Sequence, residues 1–357
     1  MSKNWEISEH EVPETSIKYY SLSNFEISDN PELETKYIYG NSFIIDIDGY
    51  QYFHFFQDKI GQYEFLKRYV KDLRLILVGS WDHEYPPSSA GIGSMVVTDA
   101  LSIYNIKEED KIFLNRDSAW FEKTFYANKI FNRFLPVEAP GNHLFQISKE
   151  ENKEYYAYNI ETAKIIRELY LNRAKEKEVK IFVSRKNMSN LIRKMKSLID
   201  KKESVGLNLE EEDSLNKQMR VFGPEDKDAI KIIKQRFITE EDEEKLESFF
   251  FDKGYRMVDP FTLTFSQQVD LFTRVTHVAS VRGSGLYNTI FCNPDVKVFV
   301  IDISNEYHFE YRSIINVATE NVYEVPVRSP IIDRTPQELF SVDNIIRVLE
   351  NHYIDKL

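Results

Sequence analysis

Two short segments hold residues whose types and spacing suit chemistry. The first, Arg282-Gly283-Ser284-Gly285-Leu286, stands between an apolar strand-like run, THVASV, and a short helix-like run, YNTIFC. Glycines let a backbone approach a ligand closely, the N–H groups that open a helix have no partner within it, and the helix dipole favours an anion there. Arg282 adds a fixed positive charge with paired donors matched to phosphate oxygens. The loop reads as a phosphate cradle or, on a plainer reading, as a tight strand-to-helix turn that needs glycine for geometry alone. The dinucleotide fingerprint G-x-G-x-x-G is not met, because the third glycine is absent.

The second segment, FHFFQD, places His54 and Asp58 four residues apart, so that on a helix both project from one face. A carboxylate or imidazole in such a pair can take the proton of an attacking hydroxyl while its neighbour orients the acceptor. The plainer reading is a capping or solvent-facing pair among core phenylalanines. Trp81, Asp82, His83 and Glu84 follow the strand-like LRLILVG and read as loop residues or as acceptor contacts. His143, His277, His308 and His352 lie in no ligand-like spacing, and Asp46-Ile47-Asp48 matches a metal-bridging D-x-D by letters only, at a strand end. No metal site is expected.

The elements that must position these residues alternate in type. Residues 36–47 read as strand material around a Gly40-Asn41 turn, followed by a helix through the aromatic segment that holds Phe53, Phe56, Ile60, Phe65 and Leu66. Strands at 73–79 and 111–115 flank a helix at about 92–104, and a helix over about 161–178 leads into the strand VKIFVSR, 179–185. Residues 186–235 are rich in Lys, Glu and Asp and read as solvated helices with a loop near 203–213. Order then returns. Thr239 caps a helix with an acidic first turn, Gly254 ends it, YRMV is a strand stopped by Pro260, and Thr264 caps the next helix. THVASV, the glycine loop, YNTIFC and the strand VKVFVID follow, and a C-terminal helix runs from about Pro336 to Tyr353. Strands alternating with helices predict open parallel sheets.

At 357 residues the chain exceeds the size at which one hydrophobic core stops growing, so two domains are expected. The 42% hydrophobic share fills such cores, and a formal net charge of −12 argues against a nucleic-acid partner, which would need a basic face. The single cysteine, Cys292, excludes an intrachain disulfide and a thiolate metal cluster, and suits a reducing compartment. No apolar run has the length of a signal peptide core or a membrane span, so a cytoplasmic protein is expected.

Taken in order, the residues from Arg236 to Asp302 resemble the C-terminal signature of glycosyltransferase family 61, which includes bacterial capsule-type enzymes, xylan pentosyltransferases and N-acetylglucosaminyltransferases. The resemblance is carried by a strand ending in Ser184-Arg185, Arg236 with Thr239-Glu240, Gly254-Tyr255 to Pro260, and Phe265 with Gln267 and Gln268. It continues through Arg282-Gly283-Ser284-Gly285-Leu286, Asn288, Phe291 with Pro294, and Asp302. Arg282 stands where the family usually has His and Thr239 where it has Asn, and about 50 residues separate Arg185 from Arg236.

The resemblance implies an α/β chain of the GT-B type, two Rossmann-like lobes facing across a cleft. Residues 1–170 would form the acceptor-side lobe and 171–330 the nucleotide-sugar lobe, with 186–235 as a charged helical insertion and 331–357 as a C-terminal helix. The activity implied is inverting, metal-independent hexosyl or pentosyl transfer from a nucleotide-sugar, expected to be a UDP-sugar, to a hydroxyl of a glycan or lipid-linked glycan in surface polysaccharide synthesis. No cofactor is implied, and peripheral contact with the inner face of a membrane fits such an acceptor. Arg185, Arg236 and Arg282 would approach the diphosphate, the Ser284 and Gly285 amides would cap it, and Glu240 or Asp302 would bind the ribose. Asp58 or His54 would be the base. Each arginine taken alone fits a surface ion pair as well, and a catalytically inactive GT-B-like binding protein is the alternative.

Overall fold

Short apolar runs rich in Val, Ile and Phe become the buried strands of the second half of the chain, whereas the first half combines two such runs with longer mixed ones. The computed structural model describes residues 6–15, 17–27, 35–46, 60–78, 111–114, 119–126, 160–168, 179–219, 238–302, 309–326 and 342–357. The chain divides into two units, Met1–Leu169 and Tyr170–Leu357.

The first unit holds strands β1 (Glu6–Glu11), β2 (Lys18–Ile27), β3 (Lys36–Asp46), β4 (Arg74–Val78), β5 (Lys111–Leu114) and β6 (Ala119–Tyr126), in the spatial order β1-β2-β6-β3-β4-β5. The expected parallel pairing holds for β6, β3, β4 and β5, whereas β1 and β2 join antiparallel. Leu22, Phe25, Ile38, Ile44, Ile76 and Phe121 fill one core cluster. Gly40-Asn41 is not a turn. Strand β3 runs through it with a register shift against β6, Gly40 at φ +80 marks a bulge, and the Glu122 carboxylate accepts from the Gly40 amide at 2.6 Å. The aromatic segment contributes helix α1 (Gly61–Leu66), which buries Tyr63, Phe65 and Leu66. Residues 160–168 form α2. His54, Asp58 and the 81–84 group lie outside the described residues.

The second unit is a parallel sheet of β7 (Val179–Val183), β8 (Arg256–Val258), β9 (Val275–Val281), β10 (Lys297–Asp302) and β11 (Val322–Pro326), ordered β11-β10-β9-β7-β8. Counted along the chain from β7, that order is 2-1-3-4-5, a doubly wound arrangement. Its helices are α3 (Lys186–Ser204), α4 (Leu209–Met219), α5 (Glu240–Asp252), α6 (Phe265–Phe272), α7 (Phe309–Ala318) and α8 (Val342–Tyr353), with a 3-10 helix at Ser284–Phe291.

Alternation along the strands sends their side chains to two helical layers. Phe182, Ala279, Val281, Phe299 and Ile301 pack with Leu246, Phe249 and Phe250 of α5 and with Val342, Ile345 and Leu349 of α8. The C-terminal helix is thus part of this unit's core. Val183 faces the opposite layer, where the 3-10 helix lies. Within the charged 186–235 stretch, α3 is more than a solvated helix: Ile192, Met195 and Ile199 are buried together with Leu215 of α4.

Local signals set the helix ends. Thr239 Oγ1 accepts from the Asp242 amide at 3.1 Å, and Thr264 and Gln267 form a reciprocal capping box. Gly254, at φ +82, lets the chain turn out of α5, with the Tyr255 amide returning to the Phe250 carbonyl at 3.0 Å. Among the described residues no helix is long and apolar enough to cross a membrane.

Candidate functional site

In a doubly wound sheet, ligands gather beyond the carboxyl ends of the strands where neighbouring connections leave for opposite faces. Here that point lies between β7 and β9. The connection from β7 leads to α3 and α5, whose Phe250 ring stacks on Phe182 at 4.9 Å. The connection from β9 leads to the 3-10 helix, which packs against Val183 on the other side. Residues 185 and 282–286, nearly a hundred positions apart in the chain, meet at this divergence.

Strand β7 gives way to Ser184 and then to Arg185, which occupies the N-cap position of α3 at φ −117 and ψ 20. From there Arg185 Nη1 donates to the carbonyl of Arg282 at 2.6 Å. The guanidinium crosses Gly283 so closely that a Cβ at that residue would stand 2.9 Å from Arg185 Cζ. A Cβ on Gly285 would meet Val183 Cγ1 at 2.8 Å, so the second glycine lets the 3-10 helix sit directly on β7. The two glycines therefore serve different contacts, one under an arginine and one over a strand.

Arg282 stays in the sheet ladder, its amide donating to the Ile301 carbonyl at 2.9 Å. The helix that follows is 3-10 throughout Ser284–Phe291. Its first internal bond runs from the Leu286 amide to the Gly283 carbonyl at 3.0 Å, so the Ser284 and Gly285 amides precede the helix's own bonding and belong to its positive end. With the Arg185 guanidinium over Gly283 beside them, these amides make a concentration of donors suited to an anion.

Several signature residues form the bed of the loop. Buried Asn288 donates from Nδ2 to Gln268 Oε1 at 2.9 Å, and Gln268 Nε2 donates to the Pro260 carbonyl at 3.0 Å. Phe265 and Phe291 meet edge to face with ring centroids 5.7 Å apart. Thr289 Oγ1 returns to the Leu286 carbonyl at 2.8 Å. Thr239 acts as a helix cap, a role that Asn fills equally well.

Of the other sequence candidates, Asp302 ends β10, the strand beside β9, and Glu240 is exposed in the first turn of α5. Arg236 lies outside the described residues. Among the described residues no group of His, Cys, Asp and Glu is clustered to hold a metal ion. His277 sits at the far end of β9, where burial first, then Lys297 and Lys180, pull its pKa down to about 4. That residue belongs to the scaffold.

Sequence reasoning missed a group on α3 and α5. Glu243 Oε1 accepts from Ser189 Oγ at 2.9 Å, and its Oε2 accepts from Arg193 Nη1 and Nη2, each at 3.1 Å. Arg193 Nη1 also reaches the Ile238 carbonyl at 3.2 Å, and Glu247 Oε1 accepts from Ser184 Oγ at 2.6 Å. The signal was a pair of glutamates four apart, Glu243 closing an acidic run that reads as an ordinary first turn and Glu247 one turn further on.

A doubly wound α/β unit with arginines, glycines and helix-start amides at its switch point belongs to the architecture that takes anionic ligands at the carboxyl ends of its strands. Residues 232–299, from just before α5 into β10, match the model of the family Glycosyltransferase 61. This match supports membership of glycosyltransferase family 61, and the family suggests glycosyltransferase activity with a sugar donor and a glycan acceptor. The chain matches no curated protein.

Proposed function

We propose that the chain is an inverting, metal-independent glycosyltransferase of the two-lobed GT-B kind. The donor is a nucleotide-sugar, for which a UDP-sugar is the first choice, and the acceptor is a hydroxyl of a glycan or lipid-linked glycan in surface polysaccharide synthesis at the cytoplasmic side of a membrane. The observation that carries this reading is Arg185 lying across Gly283 at the β7–β9 switch point, which sets an arginine and two helix-start amides around one place.

In this mechanism Asp58 or His54 takes the proton of the acceptor hydroxyl as its oxygen attacks the anomeric carbon. The bond from that carbon to the phosphate oxygen breaks on the opposite side, the configuration inverts, and the nucleoside diphosphate departs with the electron pair. Arg185, Arg236, Arg282 and the Ser284 and Gly285 amides stabilise the charge that develops on it, the task a divalent cation performs in other designs. Glu240 or Asp302 holds the ribose.

The test begins with a panel of nucleotide-sugars and thermal unfolding. A donor at millimolar concentration is expected to raise the melting temperature, and a panel that leaves it unmoved would sink the donor-site reading. Asp58→Asn and His54→Ala then separate an enzyme from a binding protein. The enzyme loses transfer and keeps donor affinity, whereas a binding protein has no turnover to lose.

A further inference from the structure

Arg185 is flanked by two serines, and each is gripped by a carboxylate of the same helix. Ser184, immediately before it, donates to Glu247 at 2.6 Å. Ser189, four residues after it, donates its amide to the Arg185 carbonyl at 2.8 Å and its hydroxyl to Glu243 at 2.9 Å. Glu243 and Glu247 are one helical turn apart and project from one face of α5.

We propose that Glu243 and Glu247 are positioning residues for Arg185: a two-point grip on the backbone either side of it that holds its guanidinium over Gly283. This inference rests on the reading of the switch point as a donor site. Neither carboxylate is needed to touch the donor. Their partners are serines, and Glu243 is further committed to the Arg193 fork, which lets a buried carboxylate remain paired.

The arrangement has a physical reason. An N-cap residue sits outside regular helix geometry, and Arg185 bears a long side chain with much rotamer freedom. An anion site gains affinity when its donors are already in place, because the ordering cost is met before the ligand arrives. Fixing the backbone on both sides of Arg185 leaves only the side chain to order, and the 2.6 Å bond to the Arg282 carbonyl orders that. The grip also explains how the long insertion between β7 and α5 is accommodated. The segment that opens the insertion, from Ser184 into α3, is tied directly to α5 by Ser184–Glu247, Ser189–Glu243 and Arg193–Glu243, whatever the length of chain between α3 and α5.

The experiment measures binding of uridine diphosphate to the full chain by titration calorimetry, for wild type, Glu247→Ala, Ser184→Ala, Glu243→Gln and Arg185→Ala. Glu247→Ala and Ser184→Ala are expected to weaken binding about tenfold, the scale of one hydrogen bond to a charged group. The double variant Ser184→Ala with Glu247→Ala, which removes both ends of one hydrogen bond, is expected to lose no more than either single one. In an Arg185→Ala background, Glu247→Ala is expected to cost nothing further, because the residue it positions is gone. Ser184→Ala removes only a hydroxyl, so a folding failure of a glutamate variant does not block the test.

Unchanged affinity in Ser184→Ala and Glu247→Ala, with wild type binding, overturns this inference alone. So does a Glu247→Ala penalty that persists undiminished without Arg185. A wild-type chain that binds no nucleoside diphosphate overturns the donor-site reading and this inference with it.

Discussion

Arg185 rests on Gly283: its Nη1 bonds the carbonyl just before that glycine at 2.6 Å, and no Cβ fits beneath the guanidinium. The contact joins the end of β7 to the start of the loop after β9, so the geometry of the loop and the place of the arginine are one property.

Gly283→Ala is expected to separate stability from binding. The group that the new methyl meets is the far end of a flexible side chain, so the arginine swings aside and the melting temperature falls by only a degree or two. Nucleoside diphosphate affinity is expected to fall by roughly tenfold or more, as for the loss of a charge-assisted contact. Paired thermal and calorimetric measurements check this, and unchanged affinity would show that the arginine does not serve the ligand.

Gly285→Ala is expected to behave in the opposite way. Its methyl meets Val183 Cγ1 at 2.8 Å, and Val183 is a buried, β-branched strand residue with little room to move. Overpacking of this kind costs about 1–3 kcal/mol, read as a lower urea midpoint at unchanged slope. Val183→Ala in the same chain relieves the clash, so the double variant is expected to be more stable than the sum of the single losses predicts. Simple additivity would rule out direct packing as the cause.

Asn288→Ala leaves Gln268 Oε1 without its buried donor. The expected cost is about 1–3 kcal/mol of stability by urea unfolding. Because Gln268 also holds the Pro260 carbonyl beneath the loop, a modest loss of ligand affinity is expected to accompany it.

His277 predicts a pH dependence. The folded chain keeps this imidazole neutral down to about 4, against an ordinary value of 6.5. Above about 6.5 both folded and unfolded chains hold it neutral, and its full contribution is present. As pH falls from there toward about 4, the unfolded chain takes up a proton that the folded chain refuses, and stability is lost across that window. The residue is only partly buried, so solvent screening makes the loss smaller than the shift alone implies. His277→Asn is expected to flatten the fall in melting temperature between pH 7 and pH 4.5 relative to wild type, and parallel curves would remove His277 as its source.

Much of the second unit is legible in the sequence alone. Thr239 and Thr264 cap the helices they were expected to cap, Gly254 ends the first of them, and the strands VKIFV, RMV, THVASV and VKVFVID all appear. These signals are local, since a cap or a strand-forming run is decided within a few residues. Less of the first unit could be read. Strands β1, β2 and β6 carry polar residues at many positions, and Gly40-Asn41 imitates a hairpin turn where the structure has a bulge bonded to Glu122. A bulge is defined by the partner strand, which a local reading does not contain.

The sequence by itself determined that an arginine-flanked glycine loop opens a helix and that an ordered block of motifs surrounds it. Only the tertiary structure decided that Arg185 belongs to the same place, that one glycine makes room for it while the other seats a helix on Val183, and that Glu243 and Glu247 accept from the serines on either side of it. The physical reason is the strand order. In a 2-1-3-4-5 sheet β7 and β9 are neighbours although β8 comes between them in the chain, so residues nearly a hundred positions apart are brought within one hydrogen bond.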